Sequence, residues 1–364
     1  MQRTRRQHVV SAFYLKGFAN ESGRLVCTPL SGANPYPISV SDATVQNDFY
    51  SIALPSGEVS DYFERAFSEV EGPAAAAVRM LVESAQSPGA AGDERAALAT
   101  WIALQYLRSQ AVRRQGAEMH ALMVNLVVGT SGKQRLREHI EREEGAPISD
   151  ARLDAEWKDL TSPDGPEIRA NPADHLRTIT GLLPGTAALV RDSPWMLVRF
   201  TRKVLTTGDH PVALLRDPNT PQWSGVGLST AWGYSLPLAR HLGLIIMTSE
   251  VGTGLPDAPL AGTAYQAKTL NSSTISNSRK LLFHHPDDDP RSWFGGLPKP
   301  QDREMARATH EYSEDGWFAQ DTSAPSPQPI HDRVDELHED DEGFSLDDLA
   351  WPIPGRVFRW REPE

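Results

Sequence analysis

The sequence predicts an α+β fold, with β elements at both ends of the body around a long central helix and a helical insertion, and an acidic C-terminal tail. Three observations point there. Short apolar runs cut by Gly, Pro and Asn occupy residues 8 to 56. Apolar residues at helical spacing then dominate to about residue 190, and from Trp195 the period returns to that of strands. With 364 residues, 39% of them hydrophobic and 23% charged, the chain has room for one large domain or two ordinary ones and can build a core.

The opening segment reads as a hairpin-like β region built on Leu25 to Cys27, Ile38 to Val40 and Phe49 to Leu54. Ser60 then stands as a helix N-cap before the acids Asp61 and Glu64, and Phe63, Phe67 and Val70 keep one apolar stripe. Pro73 predicts an interruption, with helix restarting over Ala74 to Ala85, because proline inside a helix costs about 3 kcal/mol. Asp93 is expected to cap the central helix, in which Ala97, Trp101, Leu104, Leu107 and Val112 recur at helical spacing, running as far as Val128 before Gly129. Two or three further helices follow over residues 133 to 190, one of them starting at Pro172 behind Asn171. Strands are expected at Met196 to Leu205, Val212 to Leu215, Tyr234 to Leu238 and Leu244 to Thr248, and a helix between Pro259 and Leu282.

The division that follows is a body over 1–285, an acidic segment rich in Pro, Ser and Asp over 286–350, and a strand-like end over 351–364. Charge supports it. The net charge is −12, yet residues 286–350 hold 18 acids against 5 bases, so the body is close to neutral. A neutral body has no general footprint for duplex nucleic acid, which needs clustered Lys and Arg. No run approaches the roughly 18 apolar residues of a membrane span. The basic start MQRTRRQHVV lacks a signal peptide's apolar region, so a cytoplasmic location is expected. The single cysteine, Cys27, reads as a buried hydrophobe in a strand.

Four polar groupings are candidates for chemistry. His8 stands before an apolar, aromatic segment and could act as acid, base or metal ligand, or simply bond local backbone. Glu64 and Glu71 lie two helical turns apart and would share a face, where they could hold a divalent cation, divide acid and base roles, or be solvated surface. Gln105 and Arg108 are one turn apart on the central helix, and an arginine against apolar surface suits phosphate or carboxylate recognition, unless it pairs with a structural acid. The segment Thr206-Thr207-Gly208-Asp209-His210-Pro211-Val212 places an Asp beside a His between strands; Asp209 is a metal ligand or base there, or bonds its own turn. The run His284-His285-Pro286-Asp287-Asp288-Asp289 is ligand-rich, but its adjacent side chains do not converge. P-loop, Rossmann, nucleophile-elbow and zincin motifs are missing from the sequence.

These residues resemble the pattern of a bacterial family, the domain of unknown function 4238. The resemblance rests on His8-Val9-Val10 with Tyr14-Leu15 and Phe18, on Asn47-Asp48-Phe49-Tyr50, on Gln105 and Arg108, on Thr207-Gly208-Asp209-His210-Pro211-Val212, and on Pro237-Leu238, and it covers about residues 8 to 283. Ser11 departs from the family's usual Pro, and His210 from its commoner Asn. The family carries no established activity. The resemblance therefore adds Asn47 and Tyr14 to the candidate site without naming a reaction.

The expected function is a hydrolase, with a divalent metal ion as the cofactor the residues admit, acting on a phosphate-bearing substrate such as a nucleotide or nucleic acid. In that expectation His8, Asp209 and Glu71 are catalytic, His8 and Asp209 hold the metal, and Arg108, Gln105, Asn47 and Tyr14 bind substrate. The alternative is a non-enzymatic binding or regulatory protein that engages a protein partner through its acidic tail, whose acids alternate with spaced Leu, Phe and Trp.

Overall fold

A computed structural model of the chain describes residues 4–53, 59–84, 92–162, 172–217, 225–248 and 257–293, with positions 219, 297, 311, 312, 314, 318 and 319. The architecture is α+β. The N-terminal region holds β1 (Arg6–His8), the short α1 (Ala12–Leu15), β2 (Arg24–Pro29), β3 (Tyr36–Ser39), β4 (Val45–Asn47), β5 (Ile52–Ala53) and β6 (Val59–Ser60). Six helices follow: α2 (Tyr62–Ser84), α3 (Asp93–Leu107), α4 (Gln110–Ser131), α5 (Lys133–Glu144), α6 (Asp150–Thr161) and α7 (Pro172–Asp192). The later β region is β7 (Trp195–Arg199), β8 (Thr207–Gly208), β9 (Ala213–Leu215), β10 (Gly233–Ala239), β11 (Leu242–Met247) and β12 (Ala258–Ala261), then α8 (Ala264–Asn277) and β13 (Leu281–His284).

Two sheets organise the body. The larger has the order β12-β7-β11-β10-β9, antiparallel except for the β12–β7 pair. Residues of β10 and β11 are buried along nearly their whole length, so they read as continuous apolar runs rather than alternating ones. The smaller sheet has the order β3-β2-β13-β8 and joins the two ends of the body, since β13 lies between β2 and β8. Cys27 is buried on β2, as expected of it. Trp101 of α3 packs with Tyr14, Phe18 and the sheet residues Trp195, Leu197, Leu236 and Leu244 in the main core. Helix α3 packs against both α2 and α7.

Two expectations about helices are corrected. Pro73 does not interrupt α2, which is continuous from Tyr62 to Ser84. Pro73 and its neighbour Gly72 face solvent, while Phe67, Ala74, Ala77 and Leu81 are buried on the other side, so tertiary packing outweighs the local cost. The central helix is two helices rather than one. It stops at Arg108, and Ser109 starts α4 by accepting a hydrogen bond from the Val112 amide. That break turns Arg108 into the C-cap of α3.

Helices α4, α5 and α6 form a satellite around Leu136, Ile148, Leu153 and Trp157. The start of the acidic segment is tied to the body: Asp288 makes a two-bonded ion pair with Arg240. The rest of the tail, including its strand-like end, lies outside the described residues apart from a few positions. Among the described residues, no helix is long and apolar enough to cross a membrane.

Candidate functional site

Arg108 is the centre of the site. As the C-cap of α3 it is only 1% exposed, and a buried guanidinium must spend its donors on protein acceptors. Nη1 donates to Glu71 Oε1 at 2.8 Å, and Nη2 donates to Ser11 Oγ at 2.5 Å and to Gln105 Oε1 at 2.9 Å. Trp101 Nε1 also donates to Ser11 Oγ, at 2.8 Å, so both lone pairs of that hydroxyl are taken. Its one proton is shared between Glu71 Oε1 at 2.9 Å and Gln105 Oε1 at 3.2 Å. Gln105 Nε2 donates to the Val9 carbonyl at 3.0 Å, which fixes the amide's orientation. The Nε of Arg108 is buried and has no acceptor among the described residues.

Around this buried knot stand partly exposed ionisable groups. Helix α2 presents Glu64 and Glu71 toward Arg108, two turns apart as their spacing predicts. Burial pushes the Glu64 carboxyl up to about 7, helped by the nearby negative charges of Glu71 and Asp61 and opposed by Arg108. His8, at the end of β1, feels Glu71 and Arg108 as well; burial holds its imidazole below the ordinary value, and its Nε2 lies 3.4 Å from the Val40 carbonyl. The floor is aromatic. Tyr50 is fully buried, donates to the Arg108 carbonyl at 3.3 Å and stacks edge-on against Phe49 and Phe67. Gln7 sets that ring in place by accepting the Tyr50 amide at 2.6 Å. Arg113 lies over the Phe49 ring at 4.6 Å and donates to the Phe49 carbonyl. His175, on α7, packs edge-on to the same ring, and burial pulls it down to about 4.

The structure thus brings together His8, Glu71, Gln105 and Arg108 of the expected set, with Glu64. Gln105, however, is fully buried with its amide spent on Ser11, Arg108 and the Val9 carbonyl, so it orders the knot rather than binding substrate. The structure does not bring Asp209. Both Asp209 oxygens are spent on backbone amides, Oδ1 on Arg279 and Oδ2 on Lys280 and Leu281, at 2.8, 2.8 and 3.2 Å. The expected metal pair of His8 and Asp209 is therefore corrected: Asp209 holds the turn that leads from α8 into β13. Among the described residues no three His, Cys, Asp or Glu side chains are arranged to hold a metal ion.

Tyr14 is not placed to bind substrate either. It is fully buried, its hydroxyl lies 2.7 Å from Thr207 Oγ1, and burial pushes the phenol far above its usual range. Asn47 sits exposed at the end of β4, paired in register with Arg6. His284 bonds Thr28 in the core and His285 bonds its own turn, so the His-His-Asp run is structural, as its adjacency implies. Two members escaped the sequence. Trp101 read as an apolar stripe residue although an indole N–H in a core needs an acceptor. Ser11 read only as a departure from a family pattern, yet its φ of −52° already lies where proline would put it.

A family model described as "Protein of unknown function (DUF4238)" matches residues 6–288. The chain belongs to the DUF4238 family. Neither the curated proteins nor the solved structures contain a match. The residues that carry the family pattern bond one another here: Tyr14 with Thr207, Tyr50 with Arg108, and Gln105 with the Val9 carbonyl.

Proposed function

We propose that this DUF4238 chain is a hydrolase that uses protein acid and base groups on a phosphate-bearing substrate, a nucleotide or a nucleic-acid end. The observation that carries the reading is the partly exposed trio of Glu64, Glu71 and His8 set over the buried guanidinium of Arg108. A carboxyl that titrates near 7 is suited to give a proton to a leaving group, and a neutral imidazole to take one from water. Glu71 is committed to Arg108 and positions it. Arg108 lies too deep to touch a substrate directly, and its positive charge beneath the trio favours an anionic group there. Among the described residues the donor set does not fit a metal, so the proton transfers fall to Glu64 and His8.

The reading is tested with purified protein on nucleotides, short oligonucleotides and an aryl phosphate ester, with and without Mg²⁺. Glu64→Gln and His8→Gln are each expected to lower kcat by roughly 10²- to 10⁴-fold, with the melting temperature retained at pH 5 to 6. Activity should also fall as pH rises through 7, where Glu64 loses its proton. Turnover unaffected by both substitutions, or no turnover on any of these substrates, ends the reading.

A further inference from the structure

Helix α4 carries an exposed apolar stripe. Met119, Leu122, Met123, Leu126 and Val127 are between 39% and 56% exposed and follow the i, i+3, i+4, i+7, i+8 spacing of a single helix face. The exposed positions from Gly116 to Ser131 include no acid and no Lys or Arg, and the rim past the stripe's C-terminal end is of mixed charge, with Arg135 and Glu138 both exposed. Such a face normally marks an interaction site rather than free surface.

The chain itself indicates what covers it. Glu314, in the turn between β14 (Glu311–Tyr312) and β15 (Phe318–Ala319), binds Lys133 twice: its carbonyl accepts the Lys133 amide, and its carboxylate pairs with Lys133 Nζ, both at 2.8 Å. Lys133 is the first residue of α5, just past the C-terminal end of the stripe. The last described residue, Ala319, is therefore delivered to that end with residues 320–364 still to follow. Those residues include Phe344, Leu346, Leu349 and Trp351 among acids. Twenty-five residues separate Ala319 from Phe344, a length for which a random coil would reach roughly 25–30 Å, whereas the stripe from Met119 to Val127 is only about 12 Å long. Tethering at that range gives an effective concentration on the order of millimolar. A weak apolar contact is then sufficient.

We infer that the C-terminal segment around Phe344, Leu346 and Leu349 docks along the exposed face of α4 in its own chain, its acids facing the solvent.

Peroxide oxidation of the full-length protein, followed residue by residue by mass spectrometry, tests this. Met119 and Met123 should oxidise slowly, in the range of the buried Met196. In full-length Phe344→Ser/Leu346→Ser/Leu349→Ser both should oxidise several-fold faster while Met196 does not change. Reciprocally, Leu122→Ser/Leu126→Ser should speed tryptic cleavage after Arg356 several-fold. Rapid oxidation of Met119 and Met123 in the unmodified monomer overturns the inference. So does protection that ignores the tail substitutions and is lost on dilution, which would make a second copy the occupant.

Discussion

Arg108 and Glu71 form an ion pair at 2.8 Å in which the arginine side chain is 2% exposed and the glutamate 25%. The pair is asymmetric, and so are its variants. Removing the acid leaves a charge in the dry half of the pair, whereas a neutral isostere still offers Oε1 to both Arg108 and Ser11. Glu71→Ala is therefore expected to destabilise by about 3 kcal/mol and Glu71→Gln by clearly less, measured by urea unfolding. Equal effects would mean that the charge, not the acceptor, matters.

Asp209 tests the division between structure and chemistry. Three backbone amides depend on its carboxylate, so Asp209→Ala should cost about 1–3 kcal/mol and Asp209→Asn less. The Arg279, Lys280 and Leu281 amides should exchange faster in both. A variant with native stability and native exchange but no turnover would return Asp209 to the catalytic set.

Glu64 makes a prediction whose sign is opposite to that of an ordinary surface acid. Its folded carboxyl titrates near 7 and its unfolded one near 4.5, so between those values the folded state holds a proton that the unfolded state has lost. The native state therefore loses stability as pH rises from about 4.5 through 7. Glu64→Gln should raise the melting temperature at pH 8 and change it little at pH 4.5. Thermal melts at the two pH values decide the matter, and equal shifts would show that Glu64 has an unperturbed carboxyl.

Position 11 separates backbone from side chain. Proline fits the φ of Ser11, so Ser11→Pro should keep the turn into α1. It also removes the amide that donates to Gln105 and the hydroxyl that serves Trp101 and Arg108. The expected cost is about 1–3 kcal/mol, with a change in near-ultraviolet circular dichroism from Trp101. Ser11→Ala, which keeps the amide, should cost less.

Much of this was legible in the sequence and some was not, for definite reasons. Period and punctuation placed β10, β11 and α8 within a few residues, because apolar runs bounded by Gly and Pro have little choice. The break at Arg108–Ser109 was hidden because the apolar spacing continues through it; only the cap hydrogen bond to Val112 marks it. Gln105 and Arg108 were legible as polar residues one turn apart on an apolar helix face, and Glu71 as one of two carboxylates sharing a face with Glu64. Asp209 misled because an Asp-His pair at a strand end looks the same whether its oxygens meet a metal or the amides of residues seventy positions away. No local pattern records that partner. The pairing of Ser11 with Trp101 is equally non-local.

The placement of β13 between β2 and β8 also governs how the chain is made. The strands nearest the N-terminus emerge from the ribosome early, yet the neighbour that completes their sheet, Leu281–His284, is synthesised some 250 residues later. Until then β2 keeps an open edge that other chains can pair with. Assembly of the small sheet is thus a late, long-range closure, the kind that slows folding and leaves nascent chains dependent on chaperones.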